Sequence, residues 1–124
     1  MVFLHGYSLS AQAWARVLPL LPAAWRAYAL DMRGFKQSGK PALKQTLLTM
    51  YASPAISPEC LAAIQAPTLI IVGTHDPYGT FDQAVALSDC IPNSRIAVMP
   101  RCGHSPMWEK PQEYVGILTD FLCP

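Results

Sequence analysis

Four short segments of this 124-residue chain carry hydroxyl, imidazole or carboxylate groups in patterns suited to chemistry. They are His5-Gly6-Tyr7-Ser8-Leu9-Ser10, Asp31-Met32-Arg33-Gly34-Phe35-Lys36-Gln37-Ser38, Gly73-Thr74-His75-Asp76-Pro77, and the stretch from Gly103-His104-Ser105-Pro106 through Met107, Trp108, Glu109 and Lys110 to Pro111. All three histidines lie in them. Imidazole is the side chain that exchanges protons near neutral pH. Beside a carboxylate and a hydroxyl, it supplies the parts for nucleophilic acyl chemistry, with an activated oxygen attacking a carbonyl carbon. The four cysteines, Cys60, Cys90, Cys102 and Cys123, show no C-x-x-C spacing and no histidine in metal-site register. They are expected to be free thiols of a cytoplasmic protein, and no metal or organic cofactor is implied.

The elements that must position these segments are short. Val2–Leu4 and Tyr28–Leu30 read as strands, as do the runs 68–72 and 95–99. The continuous apolar run at 68–72 suggests a strand buried on both faces. A helix is expected from about Ala11, with Trp14, Val17, Leu18 and Leu21 on one face and Pro19 and Pro22 ending or kinking it. Ser57-Pro58-Glu59 is a helix start, and Thr80-x-x-Gln83 fits a capping box for a helix reaching about Cys90. Pro111 opens a last helix whose Tyr114, Leu118, Phe121 and Leu122 share a face. Residues 36–58 are broken by Pro41, Pro54 and Pro58, with at most a turn or two of helix between Leu43 and Met50. Alternating strands and helices predict an α/β fold, a small three-layer sandwich over residues 1–124 as one domain.

The bulk properties narrow the function. At 52% hydrophobic and 14% charged the chain forms a core, and its net charge of +1 gives no electrostatic case for nucleic acid or an anionic membrane. No apolar run approaches the ~20 residues that span a bilayer. The N-terminal Met1-Val2-Phe3-Leu4 reads as a strand from almost the first residue, without the basic region or cleavage site of a leader.

The four segments, together with Ala66-Pro67-Thr68-Leu69-Ile70-Ile71-Val72 leading into the third, resemble those of α/β-hydrolases of the esterase, lactonase, epoxide hydrolase and haloperoxidase-like group. The likeness covers roughly residues 1–41 and 55–122, and the last two segments at their mutual spacing carry most of it. The resemblance implies that Asp76 is the triad acid and His104 the base. It also implies that the His5-Gly6 loop supplies an oxyanion-hole N–H and that Asp31-x-Arg33-Gly34 is a structural turn. Asp31, Arg33 and Ser38 are expected to tie that turn, His5 to fix its loop, His75 to face solvent or pack, and Cys102 to be structural.

The pattern breaks at its centre. The group's nucleophile stands on a G-x-S-x-G turn between the second and third segments. Here only about thirty residues separate Gly34 from Thr68, without that motif, and Ser53 and Ser57 sit beside prolines. The nucleophile strand, its helix and the lid are absent from the sequence. Gly6-Tyr7-Ser8-Leu9-Ser10 follows a strand and precedes a helix, one small residue away from such an elbow. With the missing strand excised, a four-stranded, mostly parallel sheet of order 2-1-3-4 would put Ser8 at the switch point beside the Asp76 and His104 loops.

The expected activity is therefore serine-type hydrolysis of small carboxylic esters, with Ser8 as nucleophile and Ser10 as the second choice. Four residues before Trp14, Ser10 also reads as a helix N-cap. The backbone N–H groups of Tyr7 and Leu9 would form the oxyanion hole, and Trp14, Phe35, Met107 and Trp108 a lidless substrate pocket. The alternative is a non-catalytic ligand-binding or remnant domain. Removing strands and lid uncovers apolar surface and sheet edges, so a homodimer or larger assembly is expected.

Overall fold

The computed structural model describes residues 1–4, 9–31 and 56–123. The chain divides into two compact units, Met1–Pro54 and Ala55–Pro124. Among the described residues no helix is long and apolar enough to cross a membrane.

In the first unit, strand β1 (Val2–Leu4) pairs in parallel with β2 (Tyr28–Leu30), with Phe3 opposite Ala29. The connection holds two 3-10 helices, Ala11–Trp14 and Leu18–Leu20, where the sequence suggested one longer α-helix. Pro19 has no N–H and its ring crowds the preceding turn, so the segment tightens into short i→i+3 pieces. The expected inward face partly survives. Trp14 and Val17 are buried, with Ala13, and Phe3 meets the Trp14 ring at 4.9 Å between centroids. Leu18 and Leu21 are only half-buried.

The second unit begins with α1 (Pro58–Ala62), capped by the Ser57 side chain, which accepts from Cys60 N–H. Strand β3 (Thr68–Gly73) pairs in parallel with β4 (Ser94–Met99), in register from Thr68 opposite Ser94 to Gly73 opposite Met99. Between them runs α2 (Phe81–Cys90), packed on both strands. Its capping box is complete in both arms: Gln83 N–H donates to Thr80 Oγ1 at 3.3 Å, and Thr80 N–H donates to Gln83 Oε1 at 2.9 Å. The end of α2 is tied to the start of β4 by Ser94 Oγ, which donates to the Ser88 carbonyl at 3.0 Å. A four-residue helix that the sequence did not suggest, α3 (Pro106–Glu109), precedes α4 (Pro111–Leu122). On α4 it is Val115 that is buried, while Leu122 is 46% exposed. Buried Val72, Ala84, Ile91, Met99 and Cys102 complete the core of this unit.

The strands thus make two separate parallel pairs, β1-β2 and β3-β4, and not the single sheet of order 2-1-3-4. The neighbours within each pair are as expected. β1 is only three residues long and offers few ladder groups on either edge, and Val2 and Leu4 are exposed. The burial of β3 is also less than expected. Only Val72 and Gly73 are buried, because a strand with one strand partner has less cover than one inside a wide sheet. The segment Leu43–Met50 lies outside the described residues. All four cysteines are free thiols.

The capping box generates a stability prediction. Thr80→Ala removes the acceptor for Gln83 N–H and should cost about 1 kcal/mol, read as a lower midpoint in urea with an unchanged m-value.

Candidate active site

The segment after β3 and the segment after β4 are held together before any side-chain chemistry begins. Thr74 N–H donates to the Met99 carbonyl at 3.0 Å, and His75 N–H donates to the Cys102 carbonyl at 2.8 Å. In return Arg101 N–H donates to Thr74 Oγ1 at 2.8 Å. Arg101 turns the chain there with φ of 50°, the left-handed conformation that few side chains adopt. Glycine at 73 allows the approach. A Cβ there would run into the Cys102 carbonyl oxygen and stand 2.5 Å from the Gly103 carbonyl oxygen.

This lacing sets Asp76 against His104. Both carboxylate oxygens of Asp76 lie 3.0 Å from His104 Nδ1. The same carboxylate caps its own turn: Oδ1 accepts from Tyr78 N–H at 2.8 Å and from Gly79 N–H at 3.0 Å. The Asp76 side chain is 10% exposed and that of His104 is 62% exposed. Burial acts to raise the Asp76 pKa, but the Gly79 and Tyr78 N–H groups and then His104 outweigh it and leave the carboxyl below its ordinary value. An ionised carboxylate only accepts. The neutral imidazole therefore carries its proton on Nδ1, which leaves the Nε2 lone pair free to take a proton from a hydroxyl. The Tyr78 ring meets the imidazole edge-on at 5.2 Å.

On its other side the His104 loop is held by Glu109, at the end of α3, which accepts from Gly103 N–H at 2.8 Å and from Ser105 N–H at 3.2 Å. Lys110 Nζ donates to the Pro100 carbonyl at 2.7 Å and pairs with Glu113 at 3.0 Å. Burial first, and then the Glu109 charge, push the Cys102 thiol up, which suits a structural cysteine better than a nucleophile.

The remaining sequence-derived residues are placed as follows. His5, Tyr7, Ser8, Arg33, Phe35 and Ser38 lie outside the described residues. Ser10 is buried and caps the first 3-10 helix, its Oγ accepting from Gln12 N–H at 3.3 Å. Leu9 is exposed. Asp31 accepts from Ala11 N–H at 2.7 Å, linking the end of β2 to the start of that helix. His75 is exposed. Trp14 is a core ring against Phe3, Met107 is half-buried and Trp108 is 39% exposed. None of these three lines the open cleft of about 490 Å³ that borders Asp76, whose walls include Val72, Thr74, Phe81 and Val98. Among the described residues no cluster of three or more His, Cys, Asp or Glu side chains could hold a metal ion.

Sequence reading assigned no task to Gly73, Thr74 or Glu109. The glycine ending an apolar strand immediately before an acidic loop was the available signal for the first.

Two predictions follow from the lacing. Gly73→Ala should destabilise the unit by on the order of 3 kcal/mol, because backbone carbonyls cannot yield as a side chain would; thermal unfolding reads it. The pH dependence has a definite sign. The folded-state value of Asp76 lies below its unfolded value, so the stability it contributes is present above about pH 4 and is lost as the pH falls further, through the folded value. Asp76→Asn should flatten the acid limb of a stability-versus-pH curve; an unchanged limb would show that Asp76 does not supply it.

No protein-family model matches the chain. A stretch of 62 residues is 42% identical to a 2-hydroxy-6-oxononadienedioate/2-hydroxy-6-oxononatrienedioate hydrolase of Pseudomonas putida, covering 50% of this chain but only 22% of that enzyme. ABHD14B of Rattus norvegicus, a candidate protein-lysine deacylase, is 26% identical over 174 positions that take in 98% of this chain and 82% of the relative. As 98% of 124 residues is about 122, roughly fifty of the 174 positions in that alignment have no counterpart here. Among solved structures, a CIB-like hydrolase from Thermoplasma acidophilum superposes with a TM-score of 0.75 over 98% of this chain and 84% of its own, at 18% identity. CarC, a serine hydrolase involved in carbazole degradation, gives 0.56 over 63% of this chain and 30% of its own, at 27% identity. The chain belongs to the α/β-hydrolase superfamily.

Proposed function

We propose that this chain is a serine-type hydrolase of small carboxylic esters, with Ser8 as nucleophile, His104 as general base and acid, and Asp76 as the group that orients the histidine. The observation that carries the reading is the Asp76–His104 pair, both carboxylate oxygens 3.0 Å from Nδ1 and the ring largely exposed, with Nε2 available to a hydroxyl. Ser8 Oγ attacks the ester carbonyl carbon as its proton passes to Nε2. The tetrahedral intermediate, its oxyanion held by the Leu9 and Tyr7 N–H groups, collapses by expelling the alcohol, which takes the proton from the imidazolium. Water activated by the same imidazole then opens the acyl-enzyme, releasing the acid and restoring the serine hydroxyl.

A second reading, a non-catalytic remnant or ligand-binding domain, is favoured by one observation: the roughly fifty positions of ABHD14B without counterpart in this chain. Loss of a triad nucleophile leaves only a small residual rate, so the two readings separate cleanly. Fluorophosphonate labelling with peptide mass spectrometry is the test. Stoichiometric label on Ser8, abolished in His104→Ala, is the expected result. Label on Ser10 or Ser38 keeps the hydrolase and moves its nucleophile. A folded protein that takes no label has no activated serine, and the remnant reading stands.

The proposal extends to assembly. Phe81 and Val98 are 52% and 44% exposed beside the cleft, and Val2, Leu4 and Leu30 are exposed on the first strand pair. Apolar surface of this kind calls for cover, and a homodimer or larger species is expected in light scattering at micromolar concentration. A monomer mass would overturn it.

A further inference from the structure

We propose that Glu109 is a positioning residue for His104, its carboxylate clamping the backbone on both sides of the imidazole-bearing residue. Oε2 accepts from Gly103 N–H at 2.8 Å and Oε1 from Ser105 N–H at 3.2 Å. The peptide that follows the His104 Cα, 104–105, and the one that enters Gly103, 102–103, are therefore tied to one planar carboxylate.

The need for such a clamp follows from exposure. A side chain 62% exposed has few packing contacts to fix its rotamer, and Tyr78, which meets its edge, is itself 74% exposed. Asp76 holds one ring atom only. The direction in which Nε2 points is then set by the backbone from which the ring departs. Upstream of His104 that backbone is anchored by the lacing to the β3 loop, through the Cys102 carbonyl. Downstream, the Ser105 carbonyl accepts from the Trp108 and Glu109 N–H groups, and the Glu109 carboxylate joins that turn to the Gly103 side of the histidine.

The chemistry of a carboxylate suits the task. Two divergent N–H donors need two acceptor oxygens, and an ionised carboxylate presents both with no donor of its own. The same two N–H groups hold the Glu109 carboxyl below its ordinary value, against burial and the Asp76 charge acting the other way. Gly103 keeps the approach open, since a Cβ there would stand 3.0 Å from Oε1. Glutamine could satisfy one N–H but would turn an amide donor toward the other, and alanine satisfies neither. This role is a property of the Asp76–His104 geometry, and only its consequence for catalysis rests on the hydrolase reading.

The test reads the ring directly and requires no turnover. In protein labelled with 15N-histidine, the imidazole nitrogen shifts report the neutral tautomer of each of the three histidines, with His104 assigned by its loss in His104→Ala. In the unsubstituted protein His104 should be the Nδ1–H tautomer, and Asp76→Asn should abolish that preference. Glu109→Ala should move His104 to the mixed tautomer population of a free imidazole while exposed His75 stays unchanged. Glu109→Gln should give an intermediate population, and it keeps the test open should the alanine variant fail to fold. Either folded variant retaining the full Nδ1–H population overturns the proposal, even if its melting temperature falls, because Glu109 would then be merely structural. A mixed His104 tautomer in the unsubstituted protein also overturns it, by removing the orientation that Glu109 is said to maintain. Absence of fluorophosphonate labelling alongside an intact tautomer response would sink the hydrolase reading and leave the clamp standing.

Discussion

The site depends on how closely two backbone segments can approach at the carboxyl ends of β3 and β4. At Gly73 the acid segment passes so near the Cys102 and Gly103 carbonyls that there is no room for a side chain. The distance between Asp76 and His104 is thus a backbone matter before it is a side-chain matter. With Gly73 opposite Met99 at the end of the ladder, the next residues have no regular partners, and they supply their own through Thr74 and His75. Parallel strands end side by side, so their following loops emerge on one edge. The lacing converts that general nearness into a hydrogen-bonded pair.

Charge is managed in the same economical way. Asp76 is nearly enclosed, which by itself opposes ionisation. Its turn aims two N–H groups at one carboxylate oxygen, and the imidazole adds a third partner. Glu109 repeats the device from the other side, accepting from two backbone donors that the tight loop leaves without ladder partners. Both acids thus do two tasks, ordering a loop and fixing a ring. A side chain is held closer to one geometry when supporting hydrogen bonds fix the loop that carries it.

Much of this was legible in the residues. Short apolar runs marked all four strands to within a residue, since hydrophobic patterning is a local signal. Thr80 and Gln83 marked a helix start because a capping box depends only on residues three apart. The Asp76 and His104 segments stood out by resemblance, and the structure sets their side chains together. What was not legible depends on partners distant in sequence. Apolar periodicity through Trp14 and Val17 marks an inward face equally well for α and 3-10 geometry, and the prolines decide between them. The apolar run of β3 matches a strand inside a wide sheet, but burial needs neighbours that the run itself does not specify. The role of Glu109 is a fact of loop shape, visible only once Gly103 and Ser105 are seen to point their N–H groups at it.

The two strand pairs and the intact acid–histidine pair belong to one argument. A parallel sheet grows by crossover units, each contributing a strand and its cover. β1-β2 and β3-β4 are such pairs, each with its own parallel ladder. Asp76, His104 and Glu109 all sit within the second unit, and among the described residues the hydrogen bonds that hold the imidazole and its loop are internal to it. The base and its orienting groups therefore come from one continuous stretch of the chain. The proposed nucleophile, Ser8, comes from the other unit, since the sequence holds no G-x-S-x-G turn. An oriented imidazole without an aligned hydroxyl accelerates little, since the members of a triad act as a unit. Whether this domain turns over substrate is consequently decided by the segment after β1, and by whether a serine there reaches the Nε2 that the second unit holds ready.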